Sequence, residues 1–441
     1  MLRSIRAIRR DPLAFLAAMH AEYGDVLQFP IPVPATYLVT DAEAVRRVLV
    51  TNAKGYGKRT LQYTTLALVT GEGLLTADTE AWRRQRPVVQ PAFHRASLEL
   101  VAGHVSTAVD RLLERWARCD GQVVDVDGAM MHLALEVVGA SLFGSDLSDD
   151  PERLADATLA ALDVVVKKAR SPIPVPVTVP TPTNVVLRRA VAKLDAAVDT
   201  MLADRATRPL PDGCPPRDML DLLLVAHDGD ASRLSRQQVR DQVVTFIVAG
   251  HETVASALTW AWHLLATNPD VLDRLRDEVD AVCPDGAPGF ADLARLSWTS
   301  AVLDETLRLY PPAWLITRRS LAPDVLGGVD VPADALIIVS PWLVHRDAAA
   351  WPEPERFDPS RFLGEDGLRR REVVASSAYL PFGAGPRLCV GRDMALLEGA
   401  LVLASLVARV DLEPVGPPPR AVPLVTIRPV DGLPMRVRLR G

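Results

Sequence analysis

One stretch, Leu234 to Thr267, carries helical periodicity for longer than any other part of this 441-residue chain, and it is largely apolar. Ser235 and Gln238 have the spacing of a capping box at its start. The same periodicity runs through Ser97–Cys119, Ala129–Phe143, Asn184–Ala206 and Asp270–Cys283. Strand-like runs are short and fall in Val26–Val39, in Leu336–Ser340 and in the tail from Leu424 to Leu439. Helices and strands therefore do not alternate, which argues against a Rossmann fold or a barrel. The expected fold is mainly α with small β-sheets. We expect a single domain over 1–441, with a β-rich N-terminal part at about 20–60 and a helical core at about 80–310. No fixed-period repeat and no long linker divides the chain.

The long helix breaks its own pattern in the middle. Ala249-Gly250-His251-Glu252-Thr253 places a glycine and three polar residues in apolar surroundings, the glycine alone costing about 1 kcal/mol. Gly250 can admit a ligand against the backbone. Thr253 can bond back to a carbonyl and open the helix locally, and Glu252 adds a carboxylate beside that hydroxyl. Taken alone, such a cluster is more often a buried polar patch than a site.

Composition narrows the function. Aromatic residues make up 5% of the chain and the formal charge is −6, which argues against a general nucleic-acid binder. The opening M-L-R-S-I-R-A-I-R-R-D-P has charge but no apolar run, and about 18 uncharged apolar residues occur together nowhere, so no membrane span is expected and a cytoplasmic protein is. Two segments break the helical pattern. Ser171–Thr183 is apolar and proline-rich, suiting either a stiff linker or a lid, and Arg208–Arg217 reads as a surface loop. Cys119, Cys214, Cys283 and Cys389 form no C-x-x-C pair and no disulfide framework, which leaves room for one of them to do chemistry.

Cys389 has the right surroundings. It stands in Phe382-Gly-Ala-Gly-Pro-Arg-Leu-Cys-Val-Gly391, before an apolar helix from Arg392 to about Val410. A metal-binding thiolate needs its charge stabilised by donors in a partly dry place. Gly383 and Gly385 allow a tight loop whose N–H groups point at the sulfur, and the following helix adds its positive end. Gly391 lets that helix start close to a flat group. Alone, this is a glycine turn before a helix.

The combined pattern F-x-x-G-x-R-x-C-x-G resembles the haem-binding signature of the cytochrome P-450 family, and Ala249–Thr253 resembles that family's [AG]-G-x-[DE]-T motif. The resemblance runs from about Asp11 to the C-terminus. It implies a haem b held between the long distal helix and the proximal loop at 382–391, with Cys389 as iron ligand. Phe382, Gly385, Arg387, Gly391 and Ala249 would surround the cofactor. Thr253 and Glu252, beside Gly250, would deliver protons to dioxygen, O2 being a co-substrate. His251 is not assigned as an iron ligand and is expected to face away or bond locally. Trp82 and Arg86, in a W-x-x-x-R match, and Arg318 would meet the propionates with Arg387; Arg319 stays open as the alternative to Arg318. Glu305 and Arg308 match the family's buried E-x-x-R pair. Its third member is expected to be Arg361, which the F-x-P-x-R-F frame beginning at Phe357 selects over Arg356, the nearer match letter for letter.

The same resemblance implies a monooxygenase fed by NAD(P)H through a separate ferredoxin or flavodoxin with its reductase. Arg83, Arg84 and Arg392 would form the docking patch, and a monomer is expected. Ala249–Trp260, Arg308–Arg319, Gly391–Gly399, Gln62-Tyr63 and Gly73–Thr76 are similar to bacterial β-carotene hydroxylase-type members, which implies a carotenoid or terpene substrate. Leu61–Leu75, Val244–Thr253, Ala313–Ile316 and Val425–Thr426 would wall the pocket and offer no obvious charge to a polar substrate. Fatty-acid or macrolide hydroxylation, a peroxygenase and a non-enzymatic haem sensor are the competing readings.

Overall fold

The computed structural model describes residue 8 and residues 10–440, apart from 32–33, 145–150, 171–174, 212, 229–233 and 285–287; side chains of 151–156 are also left aside. Its helices of ten residues or more are α1 (Pro12–Tyr23), α2 (Leu61–Thr70), α3 (Thr79–Val89), α4 (Arg95–Ala117), α5 (Val126–Phe143), α6 (Pro151–Ala169), α7 (Pro182–Ala206), α8 (Met219–Asp228), α9 (Arg236–Thr267), α10 (Pro269–Val282), α11 (Ser297–Leu309) and α12 (Arg392–Arg409). The strands are β1 (Val26–Phe29), β2 (Thr36–Val39), β3 (Tyr56–Gly57), β4 (Val123–Asp125), β5 (Ile316–Ser320), β6 (Asp324–Leu326), β7 (Val329–Val331), β8 (Leu336–Val339), β9 (Val410–Pro414), β10 (Ala421–Pro423), β11 (Ile427–Pro429) and β12 (Pro434–Leu439). This is the mainly α fold with small sheets expected from the periodicity.

The Val26–Val39 run becomes a hairpin, because the proline-rich middle cannot continue a ladder. Its second strand pairs in parallel with β8, some three hundred residues away, and the sheet order is β1-β2-β8-β5-β3. The tail pairs within itself and with β4, so the strands β1–β3 and β9–β12 stand toward either end of the described residues while helices fill most of the middle.

α9 begins where the capping box said it would. Ser235 Oγ accepts from the Gln238 N–H, and the Gln238 side chain accepts from the Ser235 N–H. The helix is buried on nearly every side, so its packing decides which residues are tolerated. A Cβ added at Gly250 would lie 2.7 Å from Val138 Cγ2 on α5. Its missing side chain serves that helix–helix contact. α5 and α9 are long and apolar enough to cross a membrane, yet 72% and 83% of their most apolar windows are buried in the protein, as in core helices.

In the proline-rich segment, residues 171–174 lie outside the described ones, and 175–181 are irregular before α7. Asn184 Nδ2 donates to the Pro176 and Val179 carbonyls, at 2.8 Å each, and ties that stretch to the helix start. The Arg208–Arg217 loop is irregular over its described residues, Asp212 lying outside them.

Replacing Ser235 with alanine removes one half of the α9 cap. Denaturant unfolding is expected to show a loss of about 1 kcal/mol without a change in m-value.

Candidate active site

The loop before α12 is built by its glycines. Gly383 and Gly385 have φ of +70° and +71°, and a Cβ on Gly385 would sit 2.0 Å from the Leu49 carbonyl oxygen. No other residue fits there without moving backbone. The loop closes on itself when the Cys389 N–H donates to Phe382 O at 3.1 Å. The Gly391 N–H, the N-cap position of α12, donates to the Cys389 sulfur. Protein closes round the thiol, yet it keeps accessible surface because it opens on a cavity. Burial pushes the thiol pKa up, while the Gly391 N–H, Arg86 and Arg392 pull it down.

The cavity holds about 330 Å³ and is mostly apolar. Each of the four stretches expected to wall it contributes lining residues, among them Leu66, Phe246, Leu315 and Val425. Ala249, Gly250, Glu252 and Thr253 line it from α9, and Phe382, Arg387, Cys389 and Gly391 from the loop. Trp82, Arg86 and Arg318 line it as well. Gly385 does not; it shapes the loop from behind against Leu49.

On the α9 side, Thr253 Oγ1 donates to Ala249 O at 2.7 Å. Glu252 is 3% exposed, and its Oε1 accepts from Thr426 Oγ1 at 3.0 Å. Burial pushes its pKa up to about 7, against the pull of Arg428 and the Thr426 hydroxyl. His251 turns from the cavity and bonds the Ile247 carbonyl through Nδ1 at 2.6 Å; burial pushes its pKa down to about 4, so the ring is neutral.

Cations gather at the other edge. Arg387 donates through Nη1 to Ala77 O at 2.9 Å, lies 4.9 Å over the Trp82 ring, and keeps a buried Nη2 without a partner. Arg318 is 7% exposed, whereas Arg319 turns outward to Asp334 at 2.9 Å, as the alternation of a strand requires. Arg86 donates to Leu388 O at 2.9 Å, so in this structure it braces the cysteine loop. The sequence reading missed Lys58. This buried lysine lines the cavity, donates to Leu75 O and lies 4.0 Å over the Tyr63 ring. It lies outside the four stretches expected to wall the pocket and adds a cation to the cavity's lining. Burial, then Arg318 and Arg387, push the Lys58 pKa well down; burial, then Arg318, push Arg387 down to about 10. Asp78 offsets part of this repulsion.

Three like charges in a dry wall, one with an unused donor, suit a ligand carrying two carboxylates. A sulfur open to the same cavity suits a metal at that ligand's centre. The residues present therefore fit a haem.

Behind the loop, Arg308 grips Glu305 with two bonds, of 2.6 and 2.8 Å, and both side chains are 0% exposed. Of the two candidate arginines, Arg361 brings its Nε 3.4 Å from Glu305 Oε1. Arg356 offers only its carbonyl to Arg308, and its side chain pairs with exposed Glu353. Arg83 and Arg84 are exposed on α3 and Arg392 is half-buried at the start of α12; Arg83 pairs with Glu80 and Arg392 with Asp393. Glu398 was also missed. It lines the cavity from α12, is buried with Oε1 unpartnered, and burial pushes its pKa well up.

The Cytochrome P-450 family model matches residues 3–431. A cyclooctat-9-en-7-ol 5-monooxygenase of Streptomyces melanosporofaciens is 35% identical over 417 residues, covering 94% of this chain and 88% of its own. Pentalenene oxygenase of Streptomyces avermitilis is 34% identical over 444 residues, with 98% and 93% covered. The crystal structure of CYP175A1 from Thermus thermophilus superposes with a TM-score of 0.79 at 32% identity, over 98% of this chain and 96% of that one.

Replacing Glu305 with glutamine leaves Arg308 buried without its counter-charge. Chemical unfolding is expected to show a loss of about 3–5 kcal/mol, and the purified variant is expected to carry less haem.

Proposed function

The chain belongs to the cytochrome P-450 family and is a monooxygenase of it, and we propose that it hydroxylates an apolar isoprenoid, a terpene or carotenoid. The observation that carries the substrate class is the cavity. Apart from the α9 polar pair, Glu398 and the cations set against the cofactor, its walls are largely hydrocarbon, so shape and burial select the ligand. Relatives named for cyclooctat-9-en-7-ol and pentalenene point the same way.

A bound haem b, with Cys389 as thiolate ligand, supplies the oxygen-activating chemistry general to this family. Arg318, Arg387 and Lys58 would hold its propionates, with Trp82 and Arg86 bracing that edge. Phe382, Gly391 and Ala249 would border its faces, and the arch set by Gly385 would keep the sulfur in place. Thr253 spends its own proton on Ala249 O, which leaves its oxygen lone pairs free to accept a hydrogen bond from a water in the cavity. Glu252, with a pKa near neutrality, can take up and release a proton beside that water. Glu305, Arg308 and Arg361 keep the proximal segment in register and touch no reacting atom. Electrons come from NAD(P)H through a separate ferredoxin or flavodoxin and its reductase, docking on the side of Arg83, Arg84 and Arg392. The enzyme works as a cytoplasmic monomer.

Two measurements test this. Cyclic terpenes or carotenoids are expected to shift the spin state of the ferric haem; a shift with fatty acids alone would sink the isoprenoid assignment. In Thr253→Ala, product formed per NAD(P)H consumed is expected to fall by about 10²-fold or more, with peroxide released instead. Unchanged coupling would remove Thr253 from the proton path.

A further inference from the structure

Glu252 is held from two elements that the motif around it does not contain. Thr426 Oγ1 donates to its Oε1 at 3.0 Å. Two residues on, the guanidinium of Arg428 is bonded to the carboxylate of Asp127 on α5, which also accepts from Thr259 Oγ1 at 3.2 Å. Glu252, Thr426, Arg428 and Asp127 are 3%, 2%, 8% and 5% exposed, so none of these interactions is screened by water. The tail cannot slide past α9, because Ile427 O accepts from Ser256 Oγ at 2.7 Å and from Trp260 Nε1 at 2.9 Å. That double anchor fixes the residues on either side of Ile427.

We propose that Thr426 and Arg428 are positioning residues that set the protonation state of Glu252, with Asp127 holding Arg428 so that one guanidinium is shared between two buried carboxyl groups. Asp127 has the direct ion pair; Glu252 has a neutral hydroxyl and feels Arg428 only through space. Two carboxylates cannot both be neutralised by one cation, so the less well served one keeps its proton to higher pH.

Of the other charged groups, Asp125 reaches the network through Asp127, whose pKa it helps to raise. His251, the neighbour on α9, is neutral. Asp125, at the N-cap of α5, is exposed and bonded to the N–H groups of Asp127 and Gly128. Thr426 therefore favours the ionised form of Glu252, and Asp127 limits how strongly Arg428 can ionise it. The catalytic weight of this network rests on the proton-path reading above; its electrostatics do not.

The test is an infrared titration of the haem-loaded full chain, following the carboxylic-acid C=O band that disappears in Glu252→Gln. The wild-type midpoint is expected at about 7. Thr426→Val removes a bond to the carboxylate and is expected to raise the midpoint by about one unit, with Thr426→Ser restoring it. Asp127→Asn leaves Arg428 to Glu252 alone and is expected to lower the midpoint by a similar amount. Opposite shifts support the network. An unmoved midpoint in Thr426→Val overturns it, and that near-isosteric variant decides alone if Asp127→Asn does not fold. Coupling of NAD(P)H use to product in Glu252→Gln is read separately and speaks only to the proton path. There the wild type is expected to lose coupling as pH rises through about 7, and Glu252→Gln to lose that dependence.

Discussion

The Glu305 carboxylate has no access to water, and the proximal half of the molecule is organised around that fact. A buried charge must be met on every side, and here Arg308, Arg361 and the Asp358 N–H meet it. Arg308 then needs acceptors of its own and takes the carbonyls of His345, Pro354 and Arg356. His345 passes the constraint on. Burial holds its pKa down to about 3, so the ring is neutral, and Nδ1 donates to Arg308 O while Nε2 accepts from the Leu380 N–H. Leu380 stands two residues before Phe382, where the cysteine loop begins. The position of Cys389 is thus set by a chain of satisfied donors and acceptors that starts from one carboxylate.

The loop carries that order into the cavity, where the charge is of the opposite kind and is left short of partners. Lys58, Arg318 and Arg387 repel one another in a wall too dry to screen them. A polypeptide tolerates such an arrangement when a ligand supplies the missing negative charge. The same cavity presents a thiol whose pKa burial pushes up. A group with a cationic centre and two peripheral carboxylates relieves both at once, which is why cofactor binding and local stability are linked in this fold.

What could be read in the sequence was what depends on short spacing. The α9 cap, the glycine arch around Cys389 and the Glu305–Arg308 pair follow from residues a few positions apart, whereas strand alternation left Arg318 and Arg319 open until the structure turned Arg319 outward. The choice of Arg361 over Arg356 needed a longer frame and could still be read. The packing contact at Gly250 could not be read, because the atom that forbids a side chain there belongs to Val138, more than a hundred residues earlier. Lys58, His345 and the Asp127–Arg428 pair had no local signal. Their partners are brought by β-pairing and helix packing across hundreds of residues, and a lone lysine or histidine reads as surface or core until that packing is known.

The two halves of the cavity treat a buried carboxyl in contrasting ways. Glu305 receives a bidentate arginine, a second cation and a backbone donor; burial raises its pKa, and every one of those partners opposes the rise. Glu252 receives one hydroxyl and a share of an arginine already committed to Asp127, and it titrates near neutrality. A proton carrier must exist in both forms at working pH, and a structural anchor must not. Full satisfaction on the proximal side gives rigidity to the sulfur. Deliberate shortage on the distal side gives mobility to a proton, and the shortage is created by the tail and α5, far in sequence from the helix that carries Glu252.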